Sequence, residues 1–243
     1  MNDSQNIYDN KIFFEGYRTL RERDDNHNVL IEQPAMAARL PELTGKSVLD
    51  LGCGCGSNCL DFIHRGARRV LGIDISEKML TAAQQEASDS NIEYRRLDMS
   101  DLSAVNESFD LIYSSLAFHY IKDFDRLASD IYAHLSPAGT LLFSQEHPLN
   151  TTDGHFNKDE NGDVISYTVF DYNVPGKRTT TWFVDGVVKY HRPMGQILTS
   201  LARVGFVIEE VYEPIPEEWA LKKRPGLIKE KIKPCFLIIR ARK

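Results

Sequence analysis

The stretch from Val48 to Gly56 constrains the fold of this 243-residue chain more than any other. The run Val48-Leu49-Asp50-Leu51 is short and mostly apolar, as a buried strand is, and glycines then follow at positions 52, 54 and 56. A glycine-rich turn between a strand and a helix lets the backbone approach a ligand closely, and the helix start presents free N–H groups to it. The sequence therefore predicts a strand, a turn and a helix that bind a ligand at the turn.

The spacing of these glycines narrows the kind of ligand. It is Gly-x-Gly-x-Gly, whereas dinucleotide-binding turns have G-x-G-x-x-G, so a hydride-transferring dehydrogenase is disfavoured. Asp50 precedes the glycines inside the strand, where a carboxylate can engage a cationic ligand. Cys53, Cys55 and Cys59 also lie here, but structural zinc sites have four ligands in wider pairs, so we predict no metal.

Short apolar runs alternate with amphipathic stretches between residues 47 and 143. Such alternation predicts a parallel sheet with helices on both faces. Ser76 is a good N-cap for one helix, and apolar residues from Phe124 to Leu135 recur at spacings of three and four in another. The predicted strands are Val48–Leu51, Val70–Ile73, Ile92–Arg95, Phe109–Tyr113 and Thr140–Phe143.

Acidic residues end the next two predicted strands. Asp74 ends the second strand, where a carboxylate suits the two hydroxyl groups of a ribose, and Ile75 can pack on an adenine face. Asp98 ends the third strand and can accept a hydrogen bond from an adenine amino group, with Met99 beside it. Each aspartate alone could be a helix cap or turn residue. Three at consecutive strands favour a ligand, because ligands of open sheets collect at the carboxyl ends of strands.

Three motifs together resemble the class I S-adenosylmethionine-dependent methyltransferases, within them the small-molecule group related to quinone-biosynthesis methyltransferases. The motifs are Val48–Gly54, Gly72–Ser76 and Phe109–Ser115, and the resemblance covers roughly residues 45–145. It implies a doubly wound, Rossmann-like α/β fold with a mostly parallel seven-stranded sheet whose last strand is antiparallel. The cofactor residues that it implies are Asp50, Gly52, Cys53 and Gly54 near the methionine part, Asp74 near the ribose, Ile75, Asp98 and Met99 near adenine, and Ser114 near the amino-acid moiety.

Around this core we expect one domain spanning residues 1–243. Residues 1–40 form a helical arm whose Tyr17 closes over the cofactor, alone or with Arg18 and Arg21, unless it is only an aromatic core residue. Residues 41–147 form the cofactor core, 148–192 an inserted antiparallel β lid, and 193–243 the rest of the core. Asp185-Gly186 predicts the tight turn of a hairpin in the lid.

The acceptor side is less clearly marked. His119, His147 and His191 are candidate general bases, since each follows a strand or precedes a core helix, although each could instead be a structural hydrogen-bonding residue. Glu146 and Arg192 are candidates for binding the acceptor. The sequence names neither the acceptor nor the methylated atom.

Charge and composition limit the partners. The net charge of −6 disfavours a large nucleic-acid footprint, yet nine basic residues lie beyond Leu221 against Glu230 alone. This basic segment is either a solvated face or the footprint of an RNA (tRNA) methyltransferase. For the protein as a whole, a non-catalytic scaffold that keeps the fold is a third alternative. No apolar run approaches a membrane span, and the polar start resembles no signal peptide, so we expect a cytoplasmic monomer or homodimer acting on a small molecule.

Overall fold

The computed structural model describes residues 5–243, and its centre is a twisted sheet of seven strands. The strand order across this sheet is β10-β11-β5-β4-β1-β2-β3. The eleven strands of the described residues are β1 (Ser47–Leu51), β2 (Arg69–Asp74), β3 (Ile92–Arg96), β4 (Phe109–Ser115), β5 (Leu135–Glu146), β6 (Asp153–Lys158), β7 (Val164–Phe170), β8 (Gly176–Trp182), β9 (Val184–His191), β10 (Val207–Tyr212) and β11 (Phe236–Arg242).

The pairing of these strands confirms the predicted sheet. β1 lies between β2 and β4 and is parallel to both, and β3 and β5 continue the parallel arrangement outward. β11 runs antiparallel to its neighbours β5 and β10. The strands of a mostly parallel sheet end at one edge, so the ends of β1, β2 and β4 define one rim of the molecule.

Within the described part of the chain, seven α-helices and several short turns of other helix types accompany the strands. Ser76 caps α4 as predicted, since its hydroxyl oxygen accepts from the backbone N–H of Met79 at 3.1 Å. Gly205 ends α6 in a left-handed conformation with a φ of +111°. The helices are α1 (Lys11–Glu22), α2 (Gln33–Ala37), α3 (Ser57–His64), α4 (Glu77–Glu86), α5 (Phe124–His134), α6 (Met194–Val204) and α7 (Glu218–Lys223).

The inserted segment forms two separate antiparallel hairpins, β6–β7 and β8–β9, at the carboxyl rim. The turn predicted at Asp185-Gly186 is wrong, because the β8–β9 chain reverses at Phe183, which has a φ of +59°. Packing outweighs the turn preference there, because the Phe183 ring stacks on the Trp182 ring with 5.0 Å between their centres. The centre of the Phe183 ring also lies 5.6 Å from that of Phe13.

The N-terminal arm lies across the same rim. Asp9 accepts from the Ser76 hydroxyl at 2.6 Å and from the Lys78 backbone N–H at 3.1 Å, at the positive end of α4. Arg18 forms an ion pair with Glu86 at 2.7 Å. The arm is thus tied to both ends of α4 and covers the rim between them.

Within residues 5–243 there is no helix with both the length and the apolar character needed to cross a membrane.

Candidate functional site

A cavity of about 780 Å³ opens at the carboxyl rim, beneath the arm and the hairpins. One end lies against the glycine turn after β1 and the residues that follow β2. The other end reaches the lid and the segment before β11, with Asn150, Phe156 and Lys233 on its wall. Ligand cavities in proteins have volumes of about 300–1,000 Å³ and are found preferentially at this edge of α/β sheets.

The glycine turn forms the floor of the first end. Gly52 and Gly54 have φ angles of +76° and +54°, where a side chain is strained. A Cβ on Gly52 would lie 2.8 Å from the Cβ of Ala117 and 2.9 Å from Cε of Met99. Close packing therefore requires glycine at 52. Gly52, Cys53 and Gly54 all line the cavity.

Asp74 holds the turn in shape and faces the cavity. Its Oδ2 accepts from the backbone N–H of Gly54 at 3.0 Å, and its Oδ1 accepts from that of Ser76 at 2.8 Å. Burial raises the pKa of Asp74 to about 6, so the carboxylate is ionised at neutral pH. A buried carboxylate on the cavity wall is a good acceptor for paired hydroxyl groups.

Three further predicted residues line the same end: Ile75, Asp98 and Met99. Asp98 shapes its own turn, because its Oδ1 accepts from the backbone N–H of Ser100 at 2.8 Å. Together with Asp74 and the glycines they combine carboxylates, apolar side chains and close-approach backbone, which suit a charged nucleoside.

Two predicted residues lie behind the wall instead of on it. Asp50 is fully buried, and its Oδ2 accepts a hydrogen bond from Sγ of Cys59 at 3.4 Å, while its Oδ1 has no hydrogen-bond partner. Burial raises the pKa of Asp50 to about 7. The Ser114 hydroxyl donates to the carbonyl of Leu51 at 2.7 Å and joins β4 to β1, and the next residue, Ser115, lines the cavity.

Glu32 is a buried carboxylate that the sequence analysis missed. It ends a π-helical turn, Asn28–Glu32, and its Oε1 accepts from the hydroxyls of Ser115 and Ser144 at 2.8 and 2.6 Å. Its Oε2 has no partner, and burial raises its pKa. Such turns in helices are frequent at functional sites. The Glu32 carboxylate holds the cavity wall at the end of β4.

The arm contributes aromatic and cationic side chains to the roof. Tyr17 and Arg21 line the cavity, with the Arg21 guanidinium 5.9 Å from the centre of the Tyr17 ring. Tyr8, which was not predicted, lies beside them, with its ring centre 5.2 Å from that of Tyr17. Burial raises the pKa of both tyrosines, so both phenols stay neutral.

His119 lines the cavity near the middle, in a short helical turn after β4. Its Nδ1 lies 3.3 Å from the backbone N–H of Glu146, which can only donate, so Nδ1 is an acceptor. Burial lowers the pKa of His119 to about 4. The ring is therefore neutral with its proton on Nε2, which makes His119 a hydrogen-bond donor at this atom and only a weak base near neutral pH.

Glu146 is the nearby anion on this wall. Its Oε1 forms an ion pair with Nζ of Lys189 at 2.5 Å, and Lys189 comes from β9. Tyr120 lines the cavity beside it, with its hydroxyl 3.5 Å from that of Tyr8. The middle of the cavity thus offers one carboxylate among neutral donors.

Three predicted acceptor-side residues are engaged elsewhere and do not line the cavity: His147, His191 and Arg192. His147 Nε2 pairs with Glu213 at 2.6 Å. Both ring nitrogens of His191 are used within the lid, one at 2.8 Å from the Thr151 hydroxyl and the other at 2.8 Å from a backbone carbonyl. The buried Arg192 donates to the carbonyls of Ile121 and Lys122. These contacts hold the fold together.

The distant wall residues escaped the sequence analysis because no local pattern marks them. Asn150, Phe156 and Lys233 are separated by up to 83 positions along the chain. In the sequence only the basic character beyond Leu221 marks this end, and it is compatible with a solvated face or with an RNA footprint. Several cations of that segment form ion pairs at the surface, for example Lys223 with Asp24 and Arg240 with Glu209.

Comparison with known proteins agrees with this geometry. The sequence model of a family described as a methyltransferase domain matches residues 48–139. An uncharacterized protein of Haemophilus influenzae is 38% identical over 100% of this chain and 99% of its own length. The crystal structure of an S-adenosylmethionine-dependent methyltransferase from Mesorhizobium loti is 41% identical, with a TM-score of 0.80, over 87% of this chain and 97% of that one.

A structure from Listeria monocytogenes, attributed to the same family, is 36% identical with a TM-score of 0.80, over 87% of this chain and 96% of that one. These likenesses extend well beyond the glycine turn, across nearly the whole length of each relative. We call the end of the cavity that is lined by the glycine turn, Asp74, Ile75, Asp98 and Met99 the cofactor end. This chain belongs to the S-adenosylmethionine-dependent methyltransferases.

Proposed function

We propose that the enzyme transfers a methyl group to an oxygen or nitrogen atom of a small-molecule acceptor. One observation carries this proposal: a single cavity runs from the glycine turn, past His119 and Glu146, to the lid. An acceptor in its second half shares one enclosed space with the cofactor. Enclosure under the arm and the hairpins favours a small acceptor over a macromolecule.

S-adenosylmethionine, when bound, supplies the methyl group from its sulfonium. In the proposed arrangement Gly52 and Gly54 give it close backbone contact, Asp74 accepts from the ribose hydroxyls, and Ile75 and Met99 pack beside the adenine. Both of these apolar residues line the same end of the cavity as Asp74. The protein mainly has to align the two reactants and exclude water, which lowers the activation free energy by several kcal/mol.

On the acceptor side we assign separate tasks to His119 and Glu146. The acceptor atom forms a bond to the methyl carbon as the carbon–sulfur bond breaks, and the electron pair of that bond goes to sulfur. His119 donates its Nε2 proton in a hydrogen bond that orients the acceptor. Where the acceptor is a hydroxyl or a neutral amine, the Glu146 carboxylate takes up the proton that this group loses on methylation.

The RNA alternative gains no support from the basic segment. Lys223, Arg240 and Arg242 are paired with carboxylates, and Arg224 donates to the carbonyl of Asp25. Cations that already have a carboxylate or carbonyl partner offer less to a phosphate backbone, whose binding depends on free basic groups. Transfer RNA remains the control substrate of the test.

The proposal is tested by incubating the purified protein with a labelled methyl donor and either pooled small metabolites or transfer RNA. We expect label in small products only, and a Glu146→Gln variant that keeps cofactor affinity while losing most of its turnover. Glu160→Gln, at an exposed position on the lid, is the matched control. Label in transfer RNA, with none in the metabolite pool, would overturn the proposal.

A further inference from the structure

The far end of the cavity is formed where the first lid hairpin meets the segment before β11. Asn150 and Phe156 come from the lid side, and Lys229, Lys233 and Phe236 come from the C-terminal side. No residue here belongs to the glycine turn or to the strand ends that form the cofactor end. This end therefore meets the part of the acceptor farthest from the glycine turn.

Two lysines face this space without an ionic partner. Within residues 5–243, no carboxylate oxygen lies within 4.0 Å of Nζ of Lys229 or Lys233. Their ammonium groups lie near aromatic rings instead: Lys229 is 5.6 Å from the centre of Phe156, and Lys233 is 5.7 Å from Phe156 and 5.1 Å from Tyr167. Exposed lysines of the same segment differ, because water surrounds their charges.

Lys233 is held in place more firmly than a surface lysine. Its Nζ donates to Oδ1 of Asn150, and Nδ2 of Asn150 donates to the carbonyl of Cys235 at 2.8 Å, which fixes the amide. Burial lowers the pKa of Lys233, so its charge is poorly solvated. A positioned, poorly solvated cation without a counter-ion, such as Lys233, is costly unless an anion reaches it.

The nearest acidic side chain does not fill this role. Glu230 is 4% exposed and its Oε1 lies 3.4 Å from Nε2 of His27, while its Oε2 has no hydrogen-bond partner. Glu230 raises the pKa of Lys233 through space but makes no ion pair with it. One buried carboxylate leaves the pair of lysines with a net positive charge.

We propose that this end of the cavity binds an anionic group, a carboxylate or a phosphate, of the methyl acceptor. The inference rests on the proposed small-molecule function and names the acceptor class. Lys229 and Lys233 bind the anion, and Phe156 packs against the adjoining carbon atoms. The rest of the acceptor extends past Glu146 toward His119, where the methyl group is received.

The test is calorimetric titration of the protein saturated with S-adenosylhomocysteine, using three related probes. Benzoate and phenyl phosphate carry the two kinds of anion on one aromatic body, and benzamide is the neutral analogue of benzoate. We expect millimolar or tighter binding of at least one anion, with benzamide at least about tenfold weaker. The stronger of the two anions identifies the acceptor as a carboxylate or a phosphorylated compound.

Variants locate the binding. Lys229→Met with Lys233→Met should weaken the anion at least about tenfold and leave S-adenosylhomocysteine affinity unchanged. Lys222→Met with Lys231→Met, both at exposed positions of the basic segment, removes an equal charge and should change neither affinity. If the double variant does not fold, Lys229→Met alone, on a half-exposed turn, serves in its place.

Two results would overturn the inference. One is a protein that binds S-adenosylhomocysteine but neither anion at millimolar concentration. The other is equal loss of anion affinity in Lys222→Met/Lys231→Met and in Lys229→Met/Lys233→Met, which would mean a general charge effect. Failure of the methyl-transfer assay alone would count against the proposed function and not against anion binding, because the titration requires no turnover.

Discussion

The two ends of the cavity are built in different ways. The cofactor end consists of backbone and short side chains at the ends of successive strands, within residues 52 to 99. The acceptor end is made of long side chains from the arm, both hairpins and the segment before β11. The shape of the cofactor end depends on the geometry of neighbouring strands. The shape of the acceptor end depends on how segments far apart in sequence pack together.

This difference explains why one end can be read as a common methyltransferase feature and the other as specific to this protein. Strand ends in a parallel sheet always meet at one rim, so ligand groups placed there keep their positions. Inserted loops and termini vary freely at the same rim and determine specificity. Substitutions at the two ends should therefore separate cofactor binding from acceptor binding.

The largest expected effect is at Asp74. Asp74→Ala removes the carboxylate that holds Gly54 and Ser76 and that we propose accepts from the ribose, so cofactor affinity should fall at least about 100-fold. Wild-type affinity should also fall by up to about tenfold per pH unit below pH 6, because the pKa of Asp74 is about 6 and its protonated form accepts fewer hydrogen bonds.

Calorimetric titration with S-adenosylhomocysteine measures both effects. Asp101→Ala, at an exposed position in the same region, is the control and should bind normally. Equal affinity for S-adenosylhomocysteine in Asp74→Ala and wild type would contradict this contrast between the two ends, since cofactor binding would then not depend on the carboxylate at the strand end.

His119 gives the next effect, at the acceptor end. Its pKa of about 4 in the folded protein lies below the ordinary 6.5, so the unfolded chain takes up a proton first as the pH falls. This side chain therefore destabilises the fold between pH 6.5 and 4, by up to roughly 3 kcal/mol. Asp50 and Asp74 have raised pKa values and therefore stabilise the fold as the pH falls, which opposes the effect of His119. Only the difference in stability between wild type and a His119 variant isolates the contribution of His119.

Urea unfolding of wild type and His119→Phe at several pH values makes this measurement. The free energy of unfolding of the variant should rise relative to wild type as the pH falls through that window, and the difference should level off near pH 4. His64→Phe, at an exposed position on α3, is the control. A constant difference would show that His119 titrates normally and would restore it as a candidate base.

Gly52 tests the backbone side of the comparison. Gly52→Ala puts a Cβ within 3 Å of Ala117 and Met99 at a positive φ, so the free energy of unfolding should fall by about 2 kcal/mol or more. Cofactor affinity should fall as well, because the turn has to move. Gly226→Ala, where a Cβ meets nothing within 4 Å, should change neither quantity in thermal unfolding and titration.

The smallest effect is expected in the lid. Thr151→Val leaves a nitrogen of the buried His191 without its hydroxyl partner, which should lower the free energy of unfolding by about 1 kcal/mol. Cofactor affinity should not change, because neither residue lines the cavity. Thr179→Val on exposed β8 is the control. A loss of cofactor affinity in Thr151→Val would show that the lid and the cofactor end are energetically coupled and would contradict their independence.

The amino-acid sequence by itself determined the sheet and the cofactor end. The alternation of apolar runs predicted its strands, and glycines and aspartates at their ends marked the rim, because a parallel sheet brings its carboxyl ends together. Local turn chemistry was less reliable: Asp185-Gly186 favoured a turn that Phe183 makes instead, since its ring packs on Trp182 and Phe13.

Only the tertiary structure decided the acceptor end. Three histidines looked alike along the chain, yet His119 faces the cavity while His147 and His191 have partners within the fold. Likewise Lys231 is exposed, whereas Lys233, two positions later, lies in the cavity wall beside Asn150. Which polar side chains meet depends on contacts between segments far apart in sequence, and no local periodicity records such contacts.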